Sequence, residues 1–146
     1  MKNMGNFENK DKFKFLEHTA DIKFQAFGET LEKAFENSAY ALKDIISKDK
    51  TKNEIIKRIK INGKDLESLL LNFLEEFLIL FDMEGFLLSE ISKIKIDKNN
   101  FVLTAEIFGD YAGKYEIRNH VKAITYNEMF VKKHKNTYII QVVVDV

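Results

Sequence analysis

The sequence contains no cysteine and no proline among its 146 residues. Without cysteine, the chain has no disulfide, no cysteine-ligated zinc site and no thiol nucleophile. Without proline, it has no proline-rich linker, and chain reversals depend on glycine, asparagine, aspartate and serine. Both absences narrow the classes of site and architecture that this chain can form.

An excess of either charge is also missing, since 23 lysines and arginines balance 23 aspartates and glutamates. A dedicated polyanion binder normally carries a basic excess, so the balance predicts no strong direct binding to nucleic acid. The zero net charge conceals two neighbouring segments of opposite charge. Lys48–Lys64 holds seven basic and two acidic residues, whereas Asp65–Glu90 holds seven acidic residues and no basic one. The basic segment fits either an RNA-binding strand or a solvated edge strand that resists aggregation.

Long uninterrupted hydrophobic runs are absent as well. The first fourteen residues lack the apolar core of a signal peptide. The most apolar stretch, Leu69–Phe81, is interrupted by Asn72, Glu75 and Glu76, and it falls short of the ~18 residues that a membrane span needs. The sequence therefore predicts a cytoplasmic protein with no membrane partner.

The composition that remains is that of a globular domain, with 45% hydrophobic and 12% aromatic residues. The length corresponds to a single domain. The polar N-terminal stretch predicts a flexible tail over residues 1–11, followed by one domain over residues 12–146.

Apolar residues that recur every three or four positions predict two amphipathic helices. One helix follows an N-cap at Thr30 and runs to about Ser47, and the other lies between an N-cap at Asp65 and a C-terminal Gly85. The rest of the pattern predicts strands, a loop around Gly109–Gly113 and a hairpin turn. The strands are expected at Lys12–Leu16, Ile22–Phe27, Ile55–Ile61, Phe86–Ile96, Phe101–Phe108, Val121–Tyr126 with Met129–Val131, and Tyr138–Val144. This order predicts an α+β fold with a mainly antiparallel sheet and two amphipathic helices.

Motifs of the common serine hydrolases, dinucleotide-binding proteins and zinc proteases are absent. Gly109–Lys114 superficially resembles a phosphate-binding loop, but it is one residue too short and has Tyr115 where Ser or Thr would bind magnesium. The three histidines have no ligand spacing. His134 is interpreted as an exposed turn residue, His120 as a strand position, and His18 as a hydrogen-bonded residue that holds a strand junction.

One carboxylate has an unusual position. Asp145 directly follows the apolar run Val142–Val144, beside the carboxylate that ends the sequence at Val146. Two negative charges at the end of a buried strand repel each other unless a cation or a hydrogen-bond donor lies between them. Oxygen ligands of this kind suit Ca²⁺ or Mg²⁺ better than zinc. The alternative is a frayed, solvated C-terminus.

Several segments together resemble the archease family. Glu17–Ile22 (EHTADI) and Ala26–Asn37 (AFGETLEKAFEN) look like its N-terminal signature, and Leu69–Phe86 looks like its second helix and the helix exit. Val121–Tyr126 and the ending Val142–Val146 resemble its closing strands. The resemblance spans nearly the whole chain.

The resemblance implies an α+β fold and a protein that is not an enzyme. Archeases act as protein cofactors of the RNA-splicing ligase RtcB, which joins tRNA halves; they speed guanylylation of a ligase histidine and allow multiple turnovers. Some members are also described as chaperones of a tRNA cytosine-5 methyltransferase. By position, the family's divalent cation, calcium with Mg²⁺ or Mn²⁺ as alternatives, would be held by Asp21, Asp145 and main-chain or terminal oxygens of Val146.

Two positions depart from the family pattern. Asn127 stands where a histidine is common, and His120 stands where a glutamate is frequent. Neither is one of the three expected metal ligands, so the departures bear on partner contacts rather than on the metal. Two other functions stay open from the residues: a metal-dependent hydrolase that uses Asp21 and Asp145, and an RNA-binding module that uses Lys48–Lys64.

Overall fold

The structure is a computed structural model, and it describes residues 12–18 and 20–146 of the chain. The tail predicted over residues 1–11 lies outside the described residues. Within them the elements are, in order, β1 Phe13–Leu16, β2 Ile22–Gly28, α1 Leu31–Ile46, β3 Ile55–Asn62, α2 Leu66–Glu84, β4 Phe86–Asp97, β5 Val102–Tyr111, a 3₁₀ helix Ala112–Lys114, β6 Ala123–His134 and β7 Thr137–Asp145.

The strands form two antiparallel sheets, one ordered β1-β2-β7-β6 and the other β3-β5-β4. With the two helices, this arrangement confirms the predicted α+β class and its antiparallel pairing. The four-stranded sheet pairs β2 with β7, so that Gln25 lies opposite Gln141, 116 residues away. The fold thereby brings the beginning and the end of the described chain side by side.

Both helices begin with a side-chain cap, as the sequence predicts. The Thr30 hydroxyl accepts a hydrogen bond from the Lys33 N–H at 3.0 Å. At the start of α2 the Asp65 carboxylate accepts from the Ser68 N–H, and the Ser68 hydroxyl accepts from the Asp65 N–H. Gly85 ends α2 in the left-handed conformation, with φ +64°. No helix in the described part of the chain is both long and apolar enough to cross a membrane.

The helices join the two sheets around one core. α1 contacts β2 and β4, and α2 contacts β6 and β4, so each helix touches strands of both sheets. Phe73 of α2 is fully buried, with its ring centroid 5.9 Å from that of Phe35 in α1 and 5.1 Å from that of Phe77. Burial of these large rings provides much of the packing energy between the helices.

The predicted loop around Gly109–Gly113 is wrong in its first part, because β5 continues to Tyr111. Gly109 pairs with both β3 and β4. A side-chain carbon added at this glycine would lie 2.2 Å from the carbonyl oxygen of Leu87. Glycine therefore allows a close approach of two strands here, and the chain leaves the sheet only at the 3₁₀ helix.

The sequence leaves open whether Met129–Val131 continues the strand Val121–Tyr126 or starts a new one; in the structure both belong to a single strand, β6. Its pairing with β7 shifts register between Thr125 and Phe130. Between these two positions β6 has more residues than β7, and the additional residues form a bulge in which Glu128 adopts φ +57°. The bulge carries the Glu128 side chain toward the beginning of β2, where it contacts His18 and Lys23.

Candidate functional site

The ends of β2 and β7 bring Asp21 and Asp145 together. The two strands pair antiparallel, with Ile22 opposite Val144. One residue further, the same register places Asp21 opposite Asp145. Asp21 directly precedes β2 and Asp145 is the last residue of β7, so both lie at the same end of this strand pair. The two carboxylates singled out in the sequence therefore lie where the two central strands, β2 and β7, meet one end of the four-stranded sheet. This end is called the sheet edge below.

In the described part of the chain, neither carboxylate of this pair is neutralised by a salt bridge. Within residues 12–18 and 20–146, neither Asp21 nor Asp145 forms an ion pair or a side-chain hydrogen bond. Like charges opposite each other on paired strands destabilise a sheet. A divalent cation between the carboxylates would replace this repulsion with attraction.

The main chain beside the carboxylates is well anchored. Asp145 pairs with Ala123, and its carbonyl accepts a hydrogen bond from the Lys122 N–H at 2.8 Å. Val146 is half-buried against the core. Among the described residues, no group of three or more His, Asp or Glu side chains gathers as a metal cage. A cation at this edge would thus depend on two carboxylates, main-chain oxygens, and water or a partner's ligands.

Glu128 restrains the segment that carries Asp21. From the β6 bulge, its carboxylate accepts a hydrogen bond from Lys23 Nζ at 3.0 Å and lies 3.2 Å from His18 Nε2. Its carbonyl accepts from Gln141 Nε2 on the intervening strand at 2.8 Å. Since Lys23 and His18 lie on either side of Asp21 in the sequence, Glu128 ties down both flanks of this segment. His18 thus holds the strand junction, as predicted.

We expect the Glu128 contacts to stabilise the fold at neutral pH and to lose this effect in acid. The hydrogen bond from Lys23, and then that from His18, holds the pKa of Glu128 below its usual value. A carboxylate whose pKa is lowered by folding stabilises the protein above its unfolded pKa of about 4.3, and this stabilisation is lost as the pH falls through the folded pKa. The melting temperature of the wild type should therefore exceed that of Glu128→Gln near neutral pH, and the gap should shrink below about pH 4.

Circular dichroism melts across that pH range measure the gap. Glu116→Gln is the matched control, because Glu116 is exposed and its carboxylate makes no hydrogen bond or ion pair within the described residues. Its difference from the wild type should not change with pH. A gap for Glu128→Gln that is the same in acid as at neutral pH would contradict the role given to these contacts.

A shallow depression of about 370 Å³ opens beside Asp21. Its lining includes the exposed ring of Phe15 and two basic residues, Lys48 and Arg118. Lys48 Nζ lies 5.9 Å from the Phe15 ring centroid and 2.7 Å from Oδ2 of Asp44. This edge of the sheet therefore offers a partner carboxylates, cations and an apolar ring in one place.

The other positions noted in the sequence lie outside this group. His120 is exposed and precedes β6 instead of lying within a strand, and its ring meets that of Phe81 edge-on at 6.5 Å. His134 is exposed as predicted, but it is the last residue of β6 and not part of the turn. Asn127 is exposed in the bulge, where its N–H donates to the Thr125 hydroxyl at 3.3 Å.

Asp110 is a buried carboxylate that the sequence reasoning missed. It accepts hydrogen bonds from the Tyr115 hydroxyl at 2.7 Å, from Lys114 Nζ at 3.1 Å and from the Tyr111 N–H at 2.8 Å. The bond from Tyr115 is the main cause that holds the pKa of Asp110 below its usual value. The Tyr115 hydroxyl in turn accepts from the Lys52 N–H. The Asp110 carboxylate is thus occupied by hydrogen bonds from within the protein. Through Tyr115 it connects the 3₁₀ helix to the segment before β3, and its role is structural.

The Archease protein family (MTH1598/TM1083) matches residues 13–146 of the chain. The chain belongs to the archease family. Protein archease from Sulfurisphaera tokodaii is 39% identical over 138 residues, which cover 92% of this chain and 99% of that protein. Protein archease from Methanosarcina barkeri is 36% identical over 143 residues, which cover 92% of this chain and 96% of that protein. The resemblance predicted from the motifs at both ends of the sequence is confirmed.

Solved archease-family structures share this fold. The solution structure of Methanobacterium thermoautotrophicum protein 1598 has a TM-score of 0.80 and 32% identity, and it covers 92% of this chain and 99% of that one. The crystal structure of an archease and possible chaperone from Thermotoga maritima has a TM-score of 0.63 and 20% identity. The match covers 90% of this chain and 94% of that one. The second likeness concerns the fold alone. In this archease-family chain, the fold is what places Asp21 opposite Asp145.

Proposed function

We propose that this archease-family chain is a protein cofactor, not an enzyme, of an RtcB-type RNA ligase. It would promote guanylylation of the ligase histidine and multiple turnover in tRNA splicing, in the cytoplasm, with residues 12–146 acting as a single domain. The observation that carries the proposal is the pair Asp21 and Asp145, which lie at one sheet edge and form no ion pair within the described residues.

Asp21, Asp145 and a main-chain oxygen of Val146 are proposed to hold a divalent cation. Two carboxylates and a carbonyl fit Ca²⁺ in donor chemistry, and Mg²⁺ or Mn²⁺ would use the same oxygens. Ca²⁺ takes about 6–8 oxygen ligands, and this set supplies at most five of them. A bound cation would thus contribute positive charge and free coordination positions at the surface of the protein.

The chain's own residues orient and surround this edge. Glu128 holds the Asp21 segment through Lys23 and His18, so the carboxylate is presented from a restrained backbone. Phe15 and Arg118 in the neighbouring depression are side chains of types that are enriched at protein interfaces. We propose that this edge docks against the ligase near its nucleotide site, where it would order the surroundings of the histidine nucleophile.

A second candidate function is that of a chaperone for a tRNA cytosine-5 methyltransferase. The observation in its favour is an apolar pair on α2: Ile79 is 52% exposed and Met83, one turn later, is 79% exposed. Exposed apolar side chains on one helix face are suited to capturing a partially folded partner. The Thermotoga maritima relative is likewise described as a possible chaperone.

A guanylylation assay separates these functions. Purified RtcB-type ligase from the same organism is incubated with labelled GTP, with and without this protein, and the covalent ligase–GMP adduct is followed over time. We expect a several-fold faster formation of the adduct and ligation beyond one turnover per ligase. No acceleration, together with suppressed aggregation of the methyltransferase, would favour the chaperone function. Release of phosphate or GMP from GTP by this protein alone would instead favour the hydrolase.

A further inference from the structure

The outer face of the three-stranded sheet carries a group of cations that no single segment of the sequence contains. Arg58 and Lys60 lie on β3, and Lys93 and Lys95 lie on β4. They surround a shallow depression of about 400 Å³ that also includes Thr104 and Glu106 of the central strand β5. These six residues are called the basic sheet face below.

The strand register explains how the cations meet. Thr104 pairs with Lys60 on one side and Lys95 on the other, so the two lysines stand in one row across the sheet. Neighbouring strands are about 4.8 Å apart, which separates the backbones of these lysines by about 10 Å. The next row contains Arg58 and Glu106, and Lys93 lies beside it in a bulge of β4. The cations of β3 and those of β4 thus border a valley that runs along β5, with Thr104 and Glu106 at its floor.

The charge that solvent meets on this face is positive. Glu106 is almost fully buried and is shared by Arg58, 3.6 Å away, and Lys93, 3.8 Å away. The Arg58 and Lys93 side chains are nevertheless 85% and 75% exposed. Lys60 and Lys95 make no ion pair within the described residues. All four cations can therefore turn toward a ligand.

The two acidic residues near the ends of this face are already engaged. The Glu90 carboxylate accepts a hydrogen bond from the Asn53 amide at 2.9 Å. The Asp97 carboxylate accepts from the backbone and side chain of Asn100 in the following turn. These hydrogen bonds hold both carboxylates in place at the two ends, and the third carboxylate of this face, Glu106, is almost fully buried between Arg58 and Lys93.

An aromatic ring extends the valley along the central strand. Phe108 lies two residues beyond Glu106 on β5, on the same face, and is partly exposed. Its register partner on β3 is Ile56, which is more than half exposed. A central-strand aromatic bordered by cations is the arrangement with which open sheets bind single-stranded nucleic acid, through base stacking and phosphate contacts.

We propose that the basic sheet face binds the phosphodiester backbone of a short single-stranded nucleic acid, with one base stacked on Phe108. Four cations in a protein of zero net charge give weak binding that is sensitive to salt. The inference agrees with the expectation that the chain does not bind nucleic acid strongly. It adds a surface separate from the Asp21 and Asp145 edge, since these two aspartates belong to the other sheet.

Fluorescence anisotropy with a labelled oligonucleotide of about 10 nucleotides tests the proposal. We expect the wild type to bind at low salt, with log affinity falling against log salt at a slope of about −3, as four phosphate contacts on a single strand require. RNA and DNA oligonucleotides of the same sequence distinguish contacts to the backbone alone from contacts that include the 2′-hydroxyl. Binding of either one supports the proposal.

Two sets of variants locate the binding. Lys60→Glu with Lys95→Glu should weaken binding at least about tenfold and flatten the salt slope. Lys133→Glu with Lys135→Glu, which makes the same change in charge at exposed positions of the β6–β7 hairpin, should have a much smaller effect. Phe108→Leu should weaken binding and leave the salt slope unchanged, because it removes stacking and no charge.

Circular dichroism melts of each variant establish that it is folded before binding is compared. Absence of salt-dependent binding by the wild type would overturn the proposal. So would an equal loss in the Lys133→Glu, Lys135→Glu protein, since the binding would then follow total charge rather than this face.

Discussion

Asp145→Asn is expected to abolish the stabilisation by calcium that the proposed site predicts for the wild-type protein. Without metal, the substitution relieves the repulsion from Asp21, so the variant should melt at the same temperature as the wild type or slightly above it. With free calcium at about 100 times its Kd, the wild type should gain about 2.7 kcal/mol. For a domain of this size that corresponds to a rise in Tm of about 5–10 °C. The variant should gain almost nothing.

Differential scanning calorimetry of chelator-treated protein, repeated over a calcium titration, measures both effects. Asp82→Asn is the control, because it removes an exposed carboxylate from the end of α2 and leaves the sheet edge intact. That variant should respond to calcium as the wild type does. If Asp145→Asn gains as much stability from calcium as the wild type, the cation does not bind between Asp21 and Asp145.

Phe73→Ala is expected to cause a large loss of stability that leaves the metal site unaffected. Phe73 is fully buried between Phe35 and Phe77, where α1 and α2 meet. Truncation of such a ring costs about 3–5 kcal/mol, because it removes apolar burial and leaves a cavity. The corresponding fall in Tm is about 6–20 °C.

Urea denaturation measures this loss as a lower midpoint at constant m-value. Phe73→Leu fills most of the site and should lose about half as much or less. Because Phe73 is not part of the sheet edge, calcium should stabilise Phe73→Ala by the same amount as the wild type. A midpoint for Phe73→Ala within experimental error of the wild type would contradict the packing between the helices described above.

The helices and most strands could be predicted because their signals are local. Thr30, Asp65 and Gly85 each satisfy the end of a helix with groups within a few residues, so the sequence contains the whole interaction. The predicted loop at Gly109 was wrong because the cause is not local. Glycine is needed there by the carbonyl of Leu87 on the neighbouring strand, and a single sequence does not show that contact.

The candidate site could be predicted only in part for the same reason. Asp145 is noted from its position after an apolar strand, whereas Asp21 is assigned through the family resemblance; the pairing of β2 with β7 then places both at one end of the sheet. Glu128 gave no signal in the sequence, because its role depends on a bulge that carries its side chain to Lys23 and His18, more than a hundred residues earlier. Such a contact follows from the sheet order β2-β7-β6 and not from any spacing.

The balance of 23 basic and 23 acidic residues conceals an uneven distribution of charge in the structure. Of the basic segment Lys48–Lys64, only Arg58 and Lys60 face the valley on the outer sheet, where they join Lys93 and Lys95 of β4. Asp21 and Asp145 lie at the end of the other sheet. The zero total thus conceals a local group of cations on the three-stranded sheet.

The most direct test of the proposed function is ligase guanylylation with Asp21→Asn in place of the wild type. The variant keeps the size of the side chain and the Glu128 contacts that hold its segment, so it should fold normally. We predict that it fails to accelerate formation of the ligase–GMP adduct, whereas Asp82→Asn accelerates it as the wild type does. Full acceleration by folded Asp21→Asn would contradict a role for the carboxylate pair in ligase activation.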